Sequence, residues 1–459
     1  MSHSNNWTTD SFWELFADGA IIDSMKGGAQ LRLHHPVPQE VVFECDRPWE
    51  GNTSGYFSIL QDGNRYRMYY RGSDYDVRAK KATHPEVTCV AESTDGIRWE
   101  RPNLGLYTFN RSRRNNIVWM GPESHNFAPF VDTNPRCSPD ARYKALGGNH
   151  EIGLIGFRSE DGVRWQKIGE RGLITGGAFD SLNTAFWDEQ NGRYLAYCRV
   201  WTRGGFEGYR DIAVCESGDF INWTKLRPLD WGDAPHEHLY TNAIRPYFRN
   251  PRILLGFPMR FVPNRAKVPE DPFPALCDNV LIVSRDGYRF KRWSEAFQRP
   301  GPQRERWVNR NNMPVWGLVV TRSRLPGCPD EISFYSVEGY YLPGSTARVR
   351  RFTLRLDGFV SVNAPYSGGE VLTRPVTLQG SRLQVNYATS AVGSLKVEIT
   401  DLQGNPLKGF TAEDCVEMYG DEVEAEVRWK NADIRHLRNR NVRLRFLLRD
   451  ADLYAFRSV

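Results

Sequence analysis

Three acidic side chains stand at the heads of apolar, strand-like runs: Glu50 in Trp49-Glu50-Gly-Asn52, Asp180 in Phe179-Asp180-Ser-Leu-Asn183, and Glu237 in His236-Glu237-His238-Leu-Tyr240. Two carboxyl groups, one protonated and one ionised, are the minimum equipment for acid–base or nucleophilic cleavage of a bond held between them. Asp180 lies in a run of small residues, Gly176-Gly-Ala-Phe-Asp-Ser, and reads as a functional carboxyl, whereas Glu50 and Glu237 read equally well as solvated loop carboxylates. Asp62, Asp132 and Asp188 sit at the far ends of the same runs, in matched polar segments, and are assigned to turn chemistry. His236-Glu237-His238 places two imidazoles on one strand face; without a third ligand nearby, rim hydrogen bonding is expected, with no metal and no cofactor. Arg71 and Arg199 share one register of two similar segments, and Arg260 lies near the equivalent end of a third. Such guanidiniums either bind an anionic group or pair with acidic neighbours, and pairing is the preferred reading.

The elements that must position these groups are set by a repeat. Ser93-Thr-Asp95-Gly96-Ile-Arg-Trp99 recurs as Ser159-Glu-Asp161-Gly162-Val-Arg-Trp165, with weaker copies at Ser217 to Trp223, Ser284 to Phe290 and Arg355 to Phe359. The aspartates are 66, 58, 67 and 71 residues apart, which defines five units of one size. Each copy follows an apolar run, and Asp-Gly between extended runs signals a hairpin, because Asp bonds its own backbone and Gly accepts a positive φ. Upstream, Arg65-Tyr66-Arg-Met-Tyr-Tyr-Arg71 aligns without gaps on Arg193-Tyr194-Leu-Ala-Tyr-Cys-Arg199, and Arg142-Tyr143-Lys-Ala-Leu follows the same pattern. Every unit therefore reads as two hairpins. Five four-stranded units arranged radially make an all-β, five-bladed β-propeller over residues 40–368. From about Val371 the texture changes to alternating runs such as Val442-Arg-Leu-Arg-Phe-Leu-Leu448, which predicts a β-sandwich over 369–459. Residues 1–39 read as a wrapping arm with one short helix, Thr9 to Phe16.

Composition narrows the partners. Lys and Arg number 60 against 55 Asp and Glu, and no block of five like charges occurs, so no nucleic acid is expected. No stretch approaches about 18 consecutive apolar residues, and the opening segment lacks the basic and apolar regions of a secretory signal, so no membrane is expected and a cytoplasmic location is. The eight cysteines are scattered singly, which predicts no disulfide framework, and Cys89 and Cys215 occupy matched positions in two apolar runs, as small buried residues do.

Five blades bearing S-x-D-G-x-x-W turns, with a β-sandwich appended, resemble the furanosidase-type propeller glycoside hydrolases of families 32, 43 and 68. The catalytic motifs of those families are not matched. The resemblance implies a site in an axial funnel lined by the starts of the innermost strands and the ends of the second strands. Glu50, Asp180 and Glu237 then become the catalytic carboxyl candidates. His125, Asn126, Asn183, His238, Tyr240, Arg71, Arg199, Arg260, Arg310, Glu338 and Trp49 become substrate-binding candidates, with Trp49, Trp201 and Tyr240 as sugar platforms. The implied activity is hydrolysis of a terminal sugar, with a carbohydrate substrate as the partner. Alternatives are a non-catalytic sugar-binding propeller and a glycoside phosphorylase, which would hold phosphate with its arginines.

Overall fold

The computed structural model describes residues 7–459 and contains two compact units. One comprises Pro36–Tyr247 and Pro251–Leu354; the other comprises the described residues up to His35, Phe248–Asn250 and Arg355–Val459.

The first unit is a five-bladed propeller. Three blades are four-stranded antiparallel sheets in sequence order, with inner strands Gly55–Asp62, Ala128–Val131 and Thr184–Asp188. Blade 4 has a broken inner strand, His238–Leu239 and Arg245–Tyr247, as does blade 5, with Met313–Pro314 and Val319–Thr321. The outermost strand of blade 5 is Val37–Glu44, antiparallel to Arg348–Arg355, so an N-terminal segment closes the ring. Second and third strands such as Arg65–Gly72 and Arg210–Ser217 are buried over most of their length, because each blade is covered on both faces by its neighbours. That is why these strands read as continuous apolar runs. Cys89 and Cys215 are both buried in third strands, but not at the matched positions expected: Cys89 pairs with Tyr70 and Cys215 with Ala196, so they sit two residues apart in the register of the blades.

The S-x-D turns join third to fourth strands, at the end opposite the inner-strand starts. In all four copies the serine hydroxyl bonds the Asp carboxylate, whose Oδ1 accepts two backbone N–H groups at 2.7–2.8 Å. Tyrosines of the second strands reach these turns in the next blade. Tyr69 donates to the Gly162 carbonyl (2.7 Å), Tyr197 to Gly287 (2.8 Å) and Tyr335 to Gly96 (2.7 Å). Glycine is required at Gly162, where φ is +72° and a Cβ would come within 2.7 Å of the Tyr69 hydroxyl.

Two expectations change here. The fifth copy lies in the other unit, where Asp357 is buried at φ +60° and accepts from Asn386 Nδ2 (2.9 Å), a different turn. Asp62 and Asp132 serve more than turns: each accepts a hydrogen bond from a tyrosine of the next blade, Tyr143 and Tyr194.

The second unit is a β-sandwich in which, among the described residues, ten strands are hydrogen-bonded into one continuous sheet. Two 18-residue strands, Leu383–Thr400 and Asn441–Ser458, run through it with a register break between Thr389 and Ser394. Burial alternates along Val442 to Leu448, with Val442, Leu444, Phe446 and Leu448 inside. Val385, Val397, Ile399, Phe446 and Phe456 belong to one hydrophobic core cluster. Trp7–Thr9, Glu14–Leu15, Ile22–Gly27 and Gln30–Leu33 are also strands of this sheet. The helix expected over Thr9 to Phe16 is absent: Trp13 and Leu15 bury themselves at every second position, and Glu14–Leu15 pairs with Ala455 and Phe456.

Candidate functional site

The inner-strand starts of blades 1, 3 and 4 meet in a tyrosine pair. Tyr56 follows the first residue of its strand, and its hydroxyl donates to the Asp180 carbonyl (3.1 Å) and bonds the Tyr240 hydroxyl (2.9 Å). Tyr56 and Phe179 both hold φ near +50°, a conformation costly for aromatic residues that the surrounding bonds enforce. At Phe179 those bonds come from Asn126 and Asn183. Both amides donate to the Phe179 carbonyl, while their oxygens accept from the backbone N–H of Gly148 and of Arg199, each at 2.9 Å. Asn311 does the same in blade 5, accepting from Tyr340 N (3.1 Å). These amides tie an inner-strand start to the end of the second strand. Asn126 and Asn183 are wholly buried and spend their polar atoms on backbone, so they position the site.

On one side of the tyrosine pair lies Asp180, 32% exposed, with Oδ1 buried and lacking any hydrogen-bond partner. Its nearest cation is Arg199, whose Nε is 3.7 Å from Oδ1. Arg199 is 1% exposed and donates from Nη1 to the Tyr240 carbonyl (2.9 Å). Burial pulls this guanidinium below its ordinary value, with Asp180 opposing the shift. Arg310, at φ +58°, stands 5.3 Å from the Tyr240 ring centre and donates to the Tyr341 hydroxyl (3.2 Å).

On the other side, Arg71 stacks 4.6 Å from the Tyr56 ring centre and donates to the Thr53 carbonyl (2.9 Å) and the Tyr340 hydroxyl (2.8 Å). Its counter-ion is Glu86 (3.1 Å), which also bonds His125 Nδ1 (2.9 Å). Burial would raise the Glu86 carboxyl, but Arg71 and then His125 outweigh it and hold the group down to about 2. Glu86 is 30% exposed and thus a second accessible, ionised carboxylate.

Asp180, Tyr240, Arg199, Arg310, Arg71 and His125 are therefore brought together. The other candidates are placed differently. Glu50 has no exposed side-chain surface; Arg101 holds both its oxygens (2.9 and 2.8 Å) and Tyr70 donates to it, so it is a buried ion pair inside blade 1. Trp49 bonds Asn116 (2.9 Å) and packs on Phe109. Glu237 alternates away from His238 and faces Arg292, on the fourth strand of its own blade (3.2 Å), and Arg260 (3.4 Å). Arg260 is itself held by both oxygens of Asp278 (2.9 and 2.7 Å). Glu338 is buried among Arg350, Arg348 and Arg306. His238 accepts from the Arg210 backbone N–H (3.0 Å), with burial and the neighbouring Arg210 and Arg199 pushing its imidazole below the ordinary value.

Glu86 and Arg210 also reach this mouth, although neither stands at the start of a first strand or the end of a second. Third strands run antiparallel to second strands, so their starts return to the same mouth: Glu86 precedes Val87–Ser93, and Arg210 opens Arg210–Ser217. Tyr56 is the second residue of Gly55–Asp62, a strand that begins five residues beyond Glu50. Among the described residues no group of three or more metal-ligating side chains occurs, and no helix is long and apolar enough to cross a membrane.

No protein-family model and no curated protein matches the chain. Among solved structures, it is similar to an arabinoxylan arabinofuranohydrolase of glycoside hydrolase family 43 from Bacillus subtilis, at 11% identity and a TM-score of 0.45 over 92% of this chain and 99% of that one. A family 32 β-fructofuranosidase from Bombyx mori is similar at 11% identity and a TM-score of 0.43, over 93% of this chain and 94% of that one. A protein of the GH130 family, which contains mannoside phosphorylases and glycoside hydrolases, is similar at 14% identity and a TM-score of 0.41 over 76% of this chain and 96% of that one. These likenesses assign no residue, substrate or activity to this chain, whose five blades and β-sandwich stand on its own sheets.

Proposed function

We propose that the chain is a carbohydrate-active hydrolase that cleaves a terminal sugar, with Asp180 and Glu86 as the carboxyl pair. The observation that carries this reading is Asp180 itself: a half-open carboxyl at the inner-strand start of blade 3 with one oxygen lacking any partner, beside a tyrosine-walled floor. Glycoside hydrolysis breaks the bond between the anomeric carbon and the leaving oxygen, delivers a proton to that oxygen, and adds water at the carbon. Glu86, held ionised by Arg71 and His125, supplies negative charge to the electron-poor anomeric centre. Asp180 is the group through which the proton or the new bond passes. The half-buried Tyr341 offers an aromatic surface for a sugar ring, and the buried, hydrogen-bonded pair Tyr56 and Tyr240 closes the floor, which favours action at a chain end.

A panel of aryl glycosides, pyranosides and furanosides alike, tests the reading with wild type, Asp180→Asn and Glu86→Gln. Turnover is expected in wild type and a large loss in both variants, with azide restoring cleavage in whichever variant lacks the nucleophile. Full activity in Asp180→Asn would sink the proposal.

A further inference from the structure

Three guanidiniums surround one aromatic ring. Arg199, Arg310 and Arg210 place their central carbons 4.6, 5.3 and 5.9 Å from the centre of the Tyr240 ring, and Arg71 lies over Tyr56, whose hydroxyl bonds that of Tyr240. Among the described residues, two carboxylates are in contact with these four cations. Glu86 answers Arg71, and Asp180 stands 3.7 Å from Arg199 without a hydrogen bond to it. Among the described residues neither Arg210 nor Arg310 has a carboxylate within ion-pair distance.

Their donors are also unspent. Arg199 Nε and Nη2, Arg210 Nε and Arg310 Nε are buried with no hydrogen-bond partner. A buried donor without a partner costs about 1–3 kcal/mol, and folded proteins retain few of them. The rim of blade 4 shows the alternative: Arg260 is gripped by both oxygens of Asp278, lies 3.4 Å from Glu237 and keeps no buried nitrogen empty. Arg310 is moreover aimed by a backbone in the left-handed region, in a loop pinned by Asn311. Three cations, one incompletely engaged carboxylate and a cluster of empty donors are complementary to an oxyanion.

We infer that Arg199, Arg210 and Arg310 form a receptor for an anionic group carried by the sugar, a carboxylate or a sulfate. This rests on the reading of the axial site as a sugar site and names its substrate class. The sequence expectation that Arg71, Arg199 and Arg260 pair with acidic neighbours holds for all three, for Arg199 only through Asp180 at 3.7 Å without a hydrogen bond, and the unpaired charge of the receptor comes from Arg210 and Arg310.

Binding separates this inference from catalysis. Calorimetry compares D-glucuronate and D-galacturonate with glucose and galactose, N-acetylneuraminate and glucose 6-sulfate as further anions, and inorganic phosphate and sulfate without a sugar. At least one sugar anion is expected to bind about tenfold or more tightly than its neutral counterpart, with the advantage shrinking between about 0.05 and 0.5 M salt. Arg210→Gln and Arg310→Lys should each erase most of that advantage, with folding checked by thermal melting. Asp180→Asn, which removes the competing carboxylate, should strengthen anion binding while abolishing turnover. Equal affinity for neutral and anionic sugars in wild type overturns the inference, even if hydrolysis of a neutral glycoside is found. Binding of inorganic phosphate alone, or phosphate-dependent turnover of a neutral glycoside, also overturns it, because the arginines then serve a free anion. Preferential sugar-anion binding without any turnover supports the receptor and counts against the hydrolase.

Discussion

The two ends of the propeller treat their polar groups in opposite ways. At the turn end, four S-x-D turns repeat one set of hydrogen bonds, tyrosines latch successive blades, and the buried Lys144 is paired with Asp132, which Tyr194 also bonds. No side-chain polar atom of those turns is left buried without a partner among the described residues. At the mouth, Arg71, Arg199, Arg210 and Arg310 each keep at least one buried nitrogen empty, and Asp180 keeps one oxygen empty. Saturated bonding makes blades adhere; unspent bonding costs stability and is retained where a ligand completes it. Stability and function are therefore separable along the axis.

The largest expected effect tests that separation at the mouth. Asp180→Asn should lower turnover by about 10²- to 10⁴-fold, because the amide cannot give or take the proton, while the melting temperature stays at the wild-type value. A variant that loses both would mean that Asp180 is a structural partner of Arg199. Next comes the turn end, with its effect reversed. Trp165 is 7% exposed, packs on Phe127 and Tyr69, and donates to the Gly162 carbonyl (3.1 Å). Trp165→Ala should cost about 3–5 kcal/mol in chemical denaturation and leave the affinity of bound sugars unchanged. Altered affinity would show that the two ends communicate.

The same division explains what was legible in the sequence. Turns that repeat leave a signature, so blade number, strand order and the Ser-x-Asp hairpins could be read from Ser93 to Trp99 and its copies. The site does not repeat. Asp180 stood out because of its small neighbours, but Glu50, equally well placed on paper, turns inward to Arg101 because a strand start can face the axis or the blade interior. Glu86 lies after Thr83-His84-Pro85 with no pattern around it, and only three-dimensional pairing with Arg71 and His125 distinguishes it. Residues 7–35 leave no legible pattern for a related reason: their strands pair with partners more than 300 residues away, and local spacing carries no trace of that.

Acid should break the mouth in a defined window. The Glu86 carboxyl is depressed from 4.5 to about 2, so its contribution is complete above about pH 4.5 and is lost as the pH falls through 2. Integrated over that interval, the shift amounts to at most about 3 kcal/mol. Glu86→Gln should therefore flatten the stability profile between pH 4.5 and 2, while lowering stability at neutral pH by leaving Arg71 without its counter-ion. An unchanged acid limb in the variant would assign the loss to other carboxylates.

The smallest effects grade the latches at the turn end. The carbonyls of Gly96 and Gly162 each receive two donors, a tyrosine hydroxyl from the neighbouring blade and the indole of Trp99 (3.2 Å) or Trp165 (3.1 Å). In the fourth copy Phe290 replaces the tryptophan, so among the described residues Tyr197 alone serves the Gly287 carbonyl (2.8 Å). Tyr335→Phe and Tyr69→Phe remove one of two bonds and should cost about 0.5–1.5 kcal/mol each. Tyr197→Phe orphans a buried acceptor and should cost more, about 1–3 kcal/mol. Denaturant midpoints of the three variants give the ranking directly. Three equal losses would mean that the indole bonds contribute nothing and that the latches act by packing alone.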